Sequence, residues 1–226
     1  MACTGFRRVF RHAVVPALVL SLTLPGTTGN AAGPLLIDDF VNGVSAGWEK
    51  KIFKGETVYR ATLEEGRPAV RAESKAAASA LIYRVSLDPK AYPRLSWSWK
   101  IVRTIGKGDE RTKAGDDYAA RVYVVFPSTF FWRTRAVNYI WANRLPPETF
   151  LPNAYTGNAV MVAVESGDGN AGRWIDEERN LVEDYRRAFG EDPPAVGAVA
   201  IMTDTDNTGE QAVAWYGGIR LLPPGP

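Results

Sequence analysis

Arg94-Leu95-Ser96-Trp97-Ser98-Trp99-Lys100-Ile101-Val102 alternates apolar and polar side chains at the period of a β-strand. Leu95, Trp97, Trp99 and Ile101 share one face, and Ser96, Ser98 and Lys100 share the other. The spacing predicts a central strand with both tryptophans in the core. Tyr118 to Phe126 repeats the pattern, with Ala120, Val122, Val124 and Phe126 inward and Ala119, Arg121, Tyr123 and Val125 opposite. Further strands are expected at 35–40, 57–63, 69–73, 80–86, 136–143, 159–165, 196–203 and 212–222, separated by Gly, Pro, Asn and Asp clusters. One stretch differs. Ile175 to Phe189 places Glu178, Val182, Tyr185 and Phe189 on one helical face, with acids early and Arg186 and Arg187 late. Gly190 and Pro193-Pro194 would stop it. About ten strands with one surface helix near 175–189 predict a mainly β fold, a two-sheet antiparallel sandwich of jelly-roll type.

Before the first strand, Arg7, Arg8 and Arg11 precede an apolar run, Ala13 to Leu24, and then the small and polar residues Asn30-Ala31-Ala32-Gly33. That order describes a secretory signal peptide over 1–32, cleaved near Ala32. The run is shorter than the ~20 residues that span a bilayer, so no membrane insertion is expected after cleavage. Residues 33–226 would form a single β-sandwich domain, periplasmic or secreted, and a monomer. The leader holds three of the 27 basic residues and none of the 25 acids, leaving 24 against 25. A near-neutral mature chain has no global electrostatic reason to bind nucleic acid.

The single histidine, His12, and the single cysteine, Cys3, both lie in the leader. The mature chain therefore lacks Ser-His-Asp and Cys-His nucleophiles, thiol redox chemistry, disulfides and the His and Cys ligands of zinc sites. Asp, Glu, Lys, Arg, Tyr and hydroxyls remain.

Three polar clusters interrupt the apolar pattern: Gly106 to Asp117, ending in Asp116-Asp117 beside Arg121 and Tyr123; Asn138 to Asn143 with the Pro-rich 145–155; and Met202 to Gly209. Asp204-x-Asp206-Asn207-x-Gly209 could hold a hard cation such as calcium through Asp204 and Asp206, or form only a hairpin turn. Tyr139, Trp141 and Asn143 share a strand face, which could stack on a sugar if it looks outward and is core if it looks inward. An acid/base enzyme would need two carboxylates across a cleft, drawn from Asp116, Asp117, Glu165 and Asp204. A lyase could pair Arg121 as charge neutraliser with Tyr123 as base. The expected binding residues are Asp116, Asp117, Arg121, Tyr123, Tyr139, Trp141, Asn143, Asp204, Asp206 and Asn207, meeting in one polar depression.

Asp38-Asp39-Phe40 with Trp48, Tyr92 to Lys100, Gly115 to Phe126, Asn138 to Asn143, Glu178-Arg179-Asn180 with Asp184-Tyr185, and Ala200 to Gly209 together resemble a bacterial domain of unknown function, number 3047. The resemblance covers 35–222 and implies an exported bacterial protein, but no activity. More distantly, the Asp38-Asp39-Phe40 opening is similar to galactose-binding-type jelly-roll carbohydrate-binding modules, some of which carry a structural calcium. The closing strand reads Gly217-Gly218-Ile219, without the aspartate of those modules. Three readings follow. The first is a non-catalytic cell-envelope binder of a glycan or other polar ligand. The second is a His-free carbohydrate-active hydrolase or lyase, and the third is a structural or assembly protein of the envelope.

Overall fold

The strand of the two tryptophans, Arg94–Ile101, is β6 and sits inside one of two stacked sheets, as its alternation requires. The structure, a computed structural model, describes Met1 and residues 33–225. The leader, with Cys3, His12 and the expected cleavage point, lies outside the described residues. In chain order the strands are β1 (Leu35–Asp38), β2 (Trp48–Lys54), β3 (Val58–Glu64), β4 (Arg67–Lys75), β5 (Ala78–Leu87), β6, β7 (Arg121–Phe126), β8 (Arg135–Ala142) and β9 (Phe150–Pro152). They continue with β10 (Ala159–Ser166), β11 (Ile175–Asn180), β12 (Val196–Asp204), β13 (Gln211–Tyr216) and β14 (Ile219–Leu222), and α1 (Leu181–Phe189) follows β11. The unit Ala31–Pro226 holds the whole core of the described residues, so it has what it needs to fold by itself. No helix among the described residues is long and apolar enough to cross a membrane.

One sheet runs β2-β5-β12-β7-β8-β10-β9 and the other β1-β14-β6-β13-β4-β3, with β11 also on β6. Every pair is antiparallel except β8 with β10, which run parallel. The antiparallel expectation fails there because residues 143–158 make a crossover long enough to bring the chain back in the same direction. The expected strand 212–222 is broken. Tyr216 pairs with Trp99 and Arg220 with Ser96, so the β13–β14 segment carries one more residue than β6 does, a β-bulge at Gly217-Gly218. The bulge shifts the alternation, so Ala214 and Tyr216 before it and Ile219 and Leu221 after it are all buried. A side chain at Gly217 would collide with Ser98, which explains the glycine.

The core between the sheets is aromatic. Trp97 stacks on Tyr139 (centroids 5.1 Å), Trp99 lies 5.8 Å from Trp141, and Trp97 and Trp99 meet edge to face. At the opening strand the Asp38 carboxylate accepts from the Phe40 and Ser45 amides and from Trp48 Nε1 (2.8 Å). Burial works against its charge, but these bonds outweigh it and lower its pKa.

The helix is shorter than expected. Ile175–Asn180 is strand β11, paired with β6 from Ile175↔Trp99 to Asn180↔Arg94, and only Leu181–Phe189 is helical. Acidic, helix-prone residues take strand form here because β6 offers an open edge whose amides and carbonyls need partners. Asn180 caps the helix, accepting from the Val182 and Glu183 amides (3.1 and 3.2 Å), and Gly190 ends it at φ 75°. Tyr185 packs on Phe126 at 4.6 Å.

β11 also turns a carboxylate inward. Glu177 accepts from Trp99 Nε1 (3.2 Å), and burial, with the nearby Glu165 charge adding, raises its pKa to about 7. The folded state therefore binds more protons than the unfolded chain between pH ~4.5 and ~7, and stability falls as pH rises through that window. Glu177→Gln should remove this slope and stabilise the protein above pH 7 by about 1–2 kcal/mol, allowing for partial exposure. Urea midpoints from pH 4.5 to 8 test it; parallel slopes for the two proteins would refute it.

Candidate functional site

On the outer face of the β7–β12 pair, side chains that point away from the core are Arg121 and Tyr123 from β7 and Met202 and Asp204 from β12. β8 adds Asn138 and β5 adds Ala78. Ile140, Ala142, Met161 and Ala163 of this face are sealed under Tyr118, Leu145 and Leu151. What stays open is a pocket of about 490 Å³, with Asn153 and Tyr155 on one rim and Phe53 of β2 lining it too. Its aromatic edges are exposed, Tyr155 at 55 % and Phe53 at 59 %.

The floor is an ion pair. Arg121 Nη2 donates to Asp204 Oδ2, with the side chains only 7 % and 1 % exposed. The guanidinium lies over the Tyr118 and Tyr123 rings, 4.7 and 5.5 Å from their centroids. Burial works against the charge on Arg121, but Asp204 beside it raises its pKa overall. Burial raises the Asp204 carboxyl, opposed by Arg121 and reinforced by Asp117 and Asp116. Two lining residues each keep a polar atom that is fully buried and has no partner: Arg121 Nε, a donor, and Asn138 Oδ1, an acceptor.

The three polar clusters meet here. The Asn207 and Thr208 amides donate to the Asp117 carboxylate (3.2 and 2.6 Å), and Asn207 Nδ2 donates to the Asp116 carbonyl (3.2 Å). Asn153 Nδ2 and the Tyr118 hydroxyl donate to the Asp116 carboxylate (2.9 and 3.0 Å). The Tyr155 hydroxyl donates toward Asn207 Oδ1 at 3.0 Å. Asp116, Arg121, Tyr123, Asp204, Asp206 and Asn207 line the pocket, while Asp117 braces the 206–208 turn behind it.

Tyr139 and Trp141 do not belong. Both are fully buried and face the other sheet, so the strand face that could have stacked on a sugar is core. Tyr139 donates to Asp184 and Trp141 to the Gly167 carbonyl. Asn143 is spent on loop packing: Oδ1 accepts from the Ile105 amide and Nδ2 donates to the Asp117 carbonyl. The alternation that puts Val137, Tyr139 and Trp141 inward puts Asn138 outward. That amide in an apolar strand was the available signal, and it names the pocket residue the reading missed. Phe53 lies on an unexpected strand with no local pattern to mark it, while Asn153 and Tyr155 fall in the Pro-rich 145–155 stretch of the second polar cluster, outside the expected binding residues.

One oxygen each from Asp117, Asp204 and Asp206 lie within 4.8 Å of one another. The donor set does not suit calcium, which takes six to eight oxygens. Asp117 already accepts three N–H bonds from the turn, and a guanidinium occupies Asp204. The lyase pairing fares no better. Burial raises the Tyr123 pKa, keeping its phenol protonated, and Arg121 is neutralised by Asp204. Glu165 lies outside the pocket lining, accepting from Asn170 at 3.1 Å.

A family model described as "Protein of unknown function (DUF3047)" matches residues 46–220. No curated protein sequence matches the chain. Similar solved structures include a family 11 carbohydrate-binding module from Clostridium thermocellum in complex with a β-1,3-1,4-mixed-linked tetrasaccharide (TM-score 0.45, 12 % identity, 85 % of this chain and 97 % of that one). The K3 cleaved adhesin domain of Lys-gingipain from Porphyromonas gingivalis is another (0.44, 15 %, 84 % and 99 %). A third is the CBM22-1 xylan-binding domain of Paenibacillus barcinonensis Xyn10C (0.41, 12 %, 86 % and 99 %).

Proposed function

The chain belongs to the family described as Protein of unknown function (DUF3047), and we propose that it is an exported binder of a neutral, hydroxyl-rich glycan held in the pocket above Arg121 and Asp204. The observation that carries this reading is the meeting, in one open pocket, of the Asp116 and Asp206 carboxylates with the exposed rings of Phe53 and Tyr155. A sugar hydroxyl both donates and accepts, so it suits a lining that mixes carboxylates and amides. The Asp116 and Asp206 carboxylates accept further hydroxyls, and Phe53 and Tyr155 offer apolar faces at the rim. Because Asp204 neutralises Arg121, the pocket has no free cation on its floor to favour an acidic ligand. The basic, apolar, small order of residues 1–32 supports export.

A panel of neutral and acidic oligosaccharides, followed by calorimetric titration of any hit, tests the reading. Asn138→Ala and Tyr155→Ala should each weaken binding by about 1–2 kcal/mol, roughly 5–30-fold, and the change at the exposed Tyr155 should leave the melting temperature of the free protein unaltered. Product released from the bound glycan would transfer the site to the hydrolase or lyase reading. Binding unaffected by either substitution would remove the pocket from the account. Protein recovered from its host should begin close to Gly33; a retained leader would defeat the export part.

A further inference from the structure

One exposed feature is unused by the pocket. Phe130, Phe131 and Trp132 are consecutive and stand 49 %, 81 % and 58 % exposed, in a chain whose other described tryptophans are buried or half-buried. They do not hang from a slack loop. Residues 131–133 form a 3₁₀ turn, closed by Arg133 N–H to the Phe130 carbonyl (2.8 Å) and Thr134 N–H to the Phe131 carbonyl (3.1 Å). Asn158 Nδ2 donates to the Trp132 carbonyl (2.6 Å), tying the turn to the body. A cavity of about 560 Å³ opens beside it, lined in part by Ser128, Thr129, Arg133, Arg135 and Asn158, with the Glu191 carboxylate on its wall beside Arg135. Arg135 is held by Glu191 and Tyr185, whereas Arg133 lies 5.6 Å over the Phe130 ring and has no ion-pair partner among the described residues.

We propose that the turn Pro127–Thr134 is a docking finger for an anionic lipid bilayer. The three rings enter the boundary between headgroups and acyl chains, and Arg133 meets a lipid phosphate whose headgroup fills the adjacent cavity. Aromatic side chains flanked by arginine suit that boundary, where one end of each group is apolar and the other wet. The ring geometry argues against a sugar platform, because Phe131 stands at 83° to Trp132 and Phe130 at 32°, so no common plane is offered. Three rings on one turn also fall short of the ~1,200 Å² that a specific protein interface buries. The single unpaired cation of the turn complements an anionic surface locally, although the chain from residue 33 is near neutral.

The test is co-sedimentation of the compact unit, residues 31–226, with vesicles of phosphatidylcholine alone or mixed with phosphatidylglycerol. The unit should bind both, about fivefold more tightly when phosphatidylglycerol is present, as one arginine near an anionic surface provides. Arg133→Gln should erase that preference while keeping residual binding. Phe131→Ser with Trp132→Ser should abolish sedimentation with the melting temperature unchanged. Brominated lipid should quench part of the wild-type fluorescence and lose that part in Trp132→Phe. The proposal is overturned by no sedimentation with either vesicle, or by sedimentation that the double substitution leaves intact. Retention on an insoluble polysaccharide that the double substitution removes, without vesicle binding, overturns it in favour of a glycan surface. Neither result bears on the Asn138 pocket, which the calorimetry tests separately.

Discussion

Trp99→Ala should lower the unfolding free energy by about 3–5 kcal/mol, the range for deleting a large buried aromatic. Trp99 is fully buried, meets Trp97 and Trp141, and donates its indole N–H to Glu177. Alanine would leave a cavity between the sheets and take the donor away from a partly buried carboxylate. Against a total of about 5–15 kcal/mol for a domain, the loss is a large fraction of the stability. Chemical denaturation should show a much lower midpoint with an unchanged slope. A shift below ~1 kcal/mol would mean that the tryptophan ladder is not where the sheets are held. Because no disulfide can form without a cysteine after Cys3, reducing agents should leave both midpoints unaltered.

The second large effect belongs to the pocket floor. Arg121→Met should cost about 3–5 kcal/mol, because it strands the Asp204 carboxylate at 1 % exposure. The loss should shrink at acid pH. Without Arg121 the Asp204 carboxyl, already raised by burial, titrates higher still, so protonation relieves the stranded charge as pH falls. Arg121→Met combined with Asp204→Leu should recover most of the stability, since an apolar pair of similar volume often replaces a buried ion pair without loss. Thermal melts of both singles and the double at pH 5 and 8 form the cycle. Additive losses would refute the coupling. The double variant also probes the glycan reading, because it keeps a folded protein while removing both charged groups of the pocket floor.

Alternation carried the sheet assignment because it is a local consequence of the strand's twofold period, visible within eight or nine residues. Trp97 and Trp99 fall buried where the spacing placed them. Edge strands were harder to read. β2, Trp48-Glu-Lys-Lys-Ile-Phe-Lys54, leaves six of its seven residues exposed, so burial imposed no apolar period on it. β11 reads as a helix in Ile175-Asp-Glu-Glu-Arg-Asn180 because helix propensity is local, whereas the open edge of β6 that recruits it is some eighty residues away.

The site divides along the same line. Sequence alone determined a His-free and Cys-free chemistry after the leader, a Trp-rich sandwich, and polar clusters at strand ends where charge is cheap. Which clusters share a surface depended on sheet order. β7 beside β12 sets Arg121 against Asp204, and the crossover from β8 to β10 carries Asn153 to Asp116. The inward turn of Trp141 was likewise a tertiary decision. An alternating strand defines two faces, but only the sheet stacked against it decides which of them loses its water.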